Sequence, residues 1–150
     1  YYPGAGNSVD FVVKEGDGPV ARWNFAEASG AALDTSTADP SLRDDANLTG
    51  GATRTDQGRR GEVTVTPATE TAPAVKTTDS GLKLNGTTSY AATNGPVIDT
   101  RASYTVAAWV RMDTPTRNAT VFGQDGVNRS PFYLGYEHTS KKWSFREVNS

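Results

Sequence analysis

The chain has 150 residues, no cysteine, one histidine, and a formal net charge of -2 from 15 basic and 17 acidic side chains. These numbers exclude disulfides, thiolate metal sites, cysteine nucleophiles and His-based metal clusters, and leave no electrostatic footprint for nucleic acid or an anionic membrane. The length suffices for one domain with a core, 35% hydrophobic residues among scattered Thr, Gly, Asn and Pro favour short strands and turns, and no apolar run approaches a membrane span.

In chain order, the apolar pattern has a period of two almost throughout. Val9, Phe11 and Val13 alternate with Asp10 and Val12, which predicts a strand from Ser8 to Lys14. Gly16-Asp17-Gly18-Pro19 follows with strong turn chemistry, so a module boundary is expected there. Residues 1–18 are expected to close a preceding module, immunoglobulin-like in type, and to supply its linker, with residues 19–150 as the main domain. Ala21, Trp23 and Phe25 predict the next strand. Asp34 to Gly51 is rich in Asp, Ser, Thr and Asn around Pro40 and reads as a long surface loop. Glu62–Thr66 fits a strand, Pro67–Pro73 reads as a low-complexity loop, and Leu82 and Leu84 flank Lys83 as a further strand. Ser103–Arg111, aromatic and β-branched with polar ends, reads as a buried sandwich strand. Phe132, Leu134 and Tyr136 predict another, and Glu137–Lys141 a polar turn before Trp143 and Phe145. Trp23, Phe25, Leu82, Leu84, Trp109 and Val110 are the expected core.

Several short blocks stand in a fixed order: Pro19–Glu27 with Gly30 and Asp34, Gly58-Arg59-Arg60-Gly61, Leu82–Gly86 with Tyr90, Ser103–Arg111, and Phe132–Tyr136 with Trp143 and Phe145. From about Val20 to the last residue they resemble the LamG-like jellyroll (concanavalin A-like lectin/glucanase) domains of large secreted bacterial proteins, actinobacterial ones in particular. The resemblance implies an all-β fold, an antiparallel β-sandwich of the concanavalin A-like jelly-roll type. It also implies a secreted or cell-surface location within a multidomain protein. Two departures stand out. About twenty residues, Gly61 to Gly81, are inserted as either a simple excursion or a hairpin. Strands expected after Phe145 are missing, to be supplied by the same polypeptide or another chain.

The resemblance spans binding modules, spacers and glycosidases, so function rests on particular residues. The β-glucanases of this superfamily carry Glu-x-Asp-x-x-Glu on a strand; the closest match, Glu15-Gly16-Asp17-Gly18-Pro19-Val20, ends in Val and lies before the first family block. No nucleophile elbow, phosphate loop or His-x-x-x-His occurs, and His138 is expected to be solvated. A non-catalytic extracellular binding module for a glycan or protein is therefore expected. The alternatives are a structural spacer and, third, a remnant of a glycoside hydrolase-like sandwich. Neither nucleic-acid binding nor membrane insertion is expected. Tyr133, Tyr136 and Trp143 around the His138 turn are the candidate ligand-binding residues, since sugars lay apolar faces on aromatic rings; alternation sets Tyr133 opposite to Tyr136. Ca²⁺ is the one cofactor considered, with Glu27, Asp34 and Asn47 as candidate ligands beside Asp44 and Asp45. A solvated acidic loop is the competing reading.

Overall fold

The computed structural model describes residues 18–60, 62–66, 69, 71, 75–113, 115–127 and 129–147. The strand expected at Ser8–Lys14 lies outside them. The fold is all-β: the described residues form nine short strands in small antiparallel sheets and one 3-10 turn, Pro40–Leu42, capped by the Asp39 carboxylate on the Ser41 N–H.

Strands β1 (Asn47–Thr49) and β2 (Thr53–Thr55) pair in turn with β6 (Tyr90–Ala92) and β5 (Gly81–Lys83). The two pairings follow one another along the same two chain segments, so residues 47–55 and 81–92 form the arms of one antiparallel ribbon. It is interrupted where Gly50 and Gly51, both with positive φ, face the loop after Lys83. Past β5 the same two segments stay together through the Gly58 N–H, which donates to the Asp79 carbonyl at 2.6 Å. They then enter a hairpin of β3 (Glu62–Thr66) and β4 (Val75–Thr78). Of the two forms expected for Gly61 to Gly81, the described residues show a β3–β4 hairpin that prolongs the ribbon.

Asn85 fixes the break in the ribbon. Its Oδ1 accepts from the backbone N–H groups of Thr87, Thr88 and Ser89, and its Nδ2 donates to the Gly50 carbonyl. At Gly50, φ is 64° and a Cβ would stand 2.0 Å from the Thr88 carbonyl oxygen. Gly50→Ala should therefore cost about 3 kcal/mol, from left-handed strain together with a backbone clash. The urea midpoint should fall without a change in slope.

Ahead of the ribbon, Ala32 and Ala46 exchange both backbone hydrogen bonds at 2.8 Å, and Trp23 forms an isolated bridge with Asp34. Ala32, Asp34 and Ala46 are buried there, and the Trp23 Nε1 donates to the Asp44 carbonyl at 2.8 Å. Residues 21–27 do not form the strand expected of them. Phe25 has φ 55°, outside the β region, which ends the ladder after a single bridge. The stretch from Asp34 to Gly51, expected as loop, contains the 3-10 turn and β1.

The third unit is a three-stranded sheet, β7 (Ala119–Gln124), β8 (Phe132–Glu137) and β9 (Lys142–Glu147), in that order. A tight turn at residues 138–141, with Lys141 at φ 55°, joins β8 to β9. Its register sets Leu134 against Phe145 and Tyr136 against Trp143 on one face. Phe132, fully buried, stacks with Phe122 and Phe145 at 6.0 and 5.7 Å, and Tyr104 covers it at 5.2 Å. Gln124 ties the preceding loop to β7 by accepting from the Val97 and Ile98 N–H groups and donating to the Ile98 carbonyl.

Ser103–Arg111 is the largest departure from expectation. Among the described residues it joins no ladder, and only Tyr104 reaches the aromatic cluster. Without strands on either side, Trp109 is 74% exposed, and Val110 and Leu84 are exposed too. Trp23, Phe25 and Leu82 are half-buried. The expected core is corrected accordingly: the largest fully buried apolar side chain among the described residues is Phe132.

Candidate functional site

Alternation along β8 separates two faces of the β7–β9 sheet. Phe132, Leu134 and Tyr136 share the apolar face; Tyr133, Gly135 and Glu137 share the other, opposite Arg146, Ser144 and Lys142 of β9. Gly135 opposes Thr120 on β7, and a Cβ there would lie 2.9 Å from the Ala119 carbonyl oxygen, so the centre of this face is bare backbone. Small side chains in the middle and long ones around them make a shallow groove of about 240 Å³; Asn118, Thr120, Tyr133, Glu137, Ser144 and Arg146 line it, with Ala119, Gly135 and Tyr136 also at its wall.

The charged wall is pre-set by hydrogen bonds. Glu137 accepts from Arg146 at 3.1 Å through one oxygen and from the Ser140 hydroxyl at 2.8 Å through the other. This holds the Arg146 guanidinium 5.8 Å above the Tyr133 ring. At the turn end, Asn118 Oδ1 accepts the His138 N–H at 2.8 Å, and the exposed His138 ring lies 2.7 Å from the Pro115 carbonyl through Nδ1. The hydroxyls of Thr120, Tyr133 and Ser144 and the Nδ2 of Asn118 have no partner among the described residues, so they remain free to bond a ligand. Glu137 is the one carboxylate among the lining residues, and a single carboxylate cannot divide acid and nucleophile roles.

The three aromatic candidates are therefore split. Tyr133 and Tyr136 both line the groove and Trp143 does not; the Tyr136 ring, on the apolar side, meets that of Trp143 edge to face, 5.4 Å apart. Arg146, Ser144, Thr120 and Asn118 escaped the sequence reading. The four-residue turn at His138 carried the signal for the β9 pair, because a hairpin of that length sets Tyr133 across from Arg146.

Of the candidate calcium ligands, Asp34 and Glu27 accept from N–H donors, and Asn47 is itself a donor through Nδ2. Asp34, fully buried, accepts from the Arg22 and Ser36 N–H groups at 2.9 and 2.8 Å through Oδ1 and from the Asp44 N–H at 3.3 Å through Oδ2. Burial pushes its carboxyl up, but these N–H bonds outweigh it and hold the group below its ordinary value. Glu27 accepts from the Leu33 N–H and from Arg54, which also donates to the Gly30 and Ala31 carbonyls. Its carboxyl too lies below the ordinary value: burial raises it, and its own backbone N–H, the Leu33 N–H and Arg54 together lower it by more. Asn47 bonds Asn94 at 3.5 Å. No group of three or more His, Cys, Asp or Glu gathers for a metal among the described residues. In this arrangement the Glu27 and Asp34 carboxylates are turned onto N–H groups, whereas Ca²⁺ takes six to eight oxygens directed at itself.

Compared with protein-family models, curated proteins and solved structures, the chain matches none.

Proposed function

We propose that this chain is a non-catalytic binding module, a β-sandwich of jelly-roll type within a larger secreted or surface protein, and that its ligand is a carbohydrate taken in the Tyr133 groove. The observation that carries the reading is the pairing, on one sheet face, of a half-buried tyrosine ring with unengaged hydroxyls and an amide over a bare glycine floor. A pyranose presents the complementary surface: an apolar face for the ring and a rim of hydroxyls for Thr120, Ser144 and Asn118. The Glu137–Arg146 pair orients acceptors and donors at one end without the ligand having to order them, which lowers the entropic cost of binding. The LamG-like order of sequence blocks is the support for the jelly-roll type.

A glycan array followed by titration calorimetry tests this. Tyr133→Ala should weaken the best glycan by about tenfold or more, corresponding to about 1.4 kcal/mol. Trp143→Ala, outside the groove, should leave its affinity unchanged. Silence across the array, or equal binding by the Tyr133 variant, overturns the proposal and leaves a spacer.

A further inference from the structure

Trp109 is more exposed than any other aromatic side chain among the described residues, at 74%, and it is not bare. The Arg59 guanidinium lies over its ring with Cζ 3.5 Å from the centroid. Two residues along each segment, Arg111 donates to Gln57 Oε1 at 3.4 Å. Gln57 and Arg59 thus run antiparallel to Trp109 and Arg111, joined through side chains.

A guanidinium stacked on an indole hides only its flat face. Its N–H donors point outward in the plane, in the fork geometry that matches a carboxylate. Arg59 has no carboxylate partner among the described residues, whereas its neighbour Arg60 faces Asp79 at 3.8 Å and Arg111 faces Asp113 at 3.2 Å. The stack also fixes a side chain that would otherwise lose rotamer freedom on binding. Gln57 Nε2 adds an unengaged amide donor beside it.

We propose that Trp109, Arg59 and Gln57 form a second binding site, sharing no residue with the Tyr133 groove, for a carboxylate-bearing saccharide of the uronic acid class. The carboxylate meets the Arg59 fork, an apolar sugar face lies on the open part of the Trp109 ring, and a hydroxyl accepts from Gln57. A neutral sugar leaves the fork without its anion. A polyanion such as nucleic acid is disfavoured by Asp79 and Asp113 beside the neighbouring arginines and by a net charge of -2.

Trigalacturonate titrated into the full chain at low ionic strength tests the site, with its methyl ester as the neutral counterpart. Binding should be about tenfold weaker for the ester and for Arg59→Gln, and weaker for Arg59→Lys, whose ammonium lacks the fork. Arg60→Gln should bind as the parent does, and the ligand-induced fluorescence change should vanish in Trp109→Phe. Near-ultraviolet circular dichroism checks that each variant remains folded. Equal affinity for acid and ester, full affinity in folded Arg59→Gln, or equal loss in Arg60→Gln would each overturn the proposal. So would complete displacement by millimolar inorganic sulfate, which would leave a bare oxyanion site. Failure of trigalacturonate to bind at millimolar concentration also overturns it, whatever the outcome at the Tyr133 groove.

Discussion

Phe132→Ala is expected to destabilise the chain by about 3–5 kcal/mol, the range for deleting a fully buried phenyl ring. The cost is concentrated there because Phe132 touches three rings, those of Tyr104, Phe122 and Phe145, and none of the three can follow it into the void. Phe122 and Phe145 are held by the β-ladders on both sides of β8, and Tyr104 is tethered through its hydroxyl to Glu147 at 3.2 Å. The melting temperature should fall by roughly 10 °C. Phe132→Leu, which keeps most of the volume, should lose less than half as much. Equal losses for the two variants would show that the ring contacts contribute little beyond volume.

The second large effect is expected at Asp34. Asp34→Ala leaves the N–H groups of Arg22, Ser36 and Asp44 without their acceptor in a part-buried setting, at a cost of about 3–5 kcal/mol. Asp34→Asn keeps an oxygen for Arg22 and Ser36 but turns an amide donor toward the Asp44 N–H, so about 2 kcal/mol should be lost. The carboxyl also makes stability pH-dependent. Its folded value lies below the ordinary 3.8, so the folded state binds the proton more weakly than the unfolded chain does. Its contribution is present above that unfolded value and disappears as the pH falls from there through the lower folded value. Denaturant midpoints followed through this acid range should decline less steeply in Asp34→Asn than in the parent chain. Superimposable pH profiles would contradict the role given to this carboxylate.

The structure was legible where the interactions are local. Tyr133, Gly135 and Glu137 can be set on one face from alternation alone, and the His138 turn then brings β9 alongside β8. What alternation cannot supply is the partner on the far side of a face. Ser103–Arg111 has strong strand propensity, yet propensity becomes a strand only when a neighbouring ladder is in reach, and Trp109 is met by Arg59, fifty residues upstream. Asp34 was misjudged for a related reason. As a residue type it suggests a turn or a metal ligand; it shares parity with buried Ala32, and that shared parity was the available sign that it points inward.

At the outer margin of the β7–β9 sheet, β9 has no further strand beside it among the described residues, and both Trp143 and Phe145 are about half exposed. Such a margin invites self-association, and the charges of Lys142, Arg146 and Glu147 along it are the usual deterrent. If the Tyr133 groove binds as proposed, Arg146 has two occupations, positioning the groove and keeping identical chains apart. Any evolutionary drift at this position trades recognition against colloidal stability, so ligand preference should be altered more freely at Thr120 or Ser144 than at the arginine beside them.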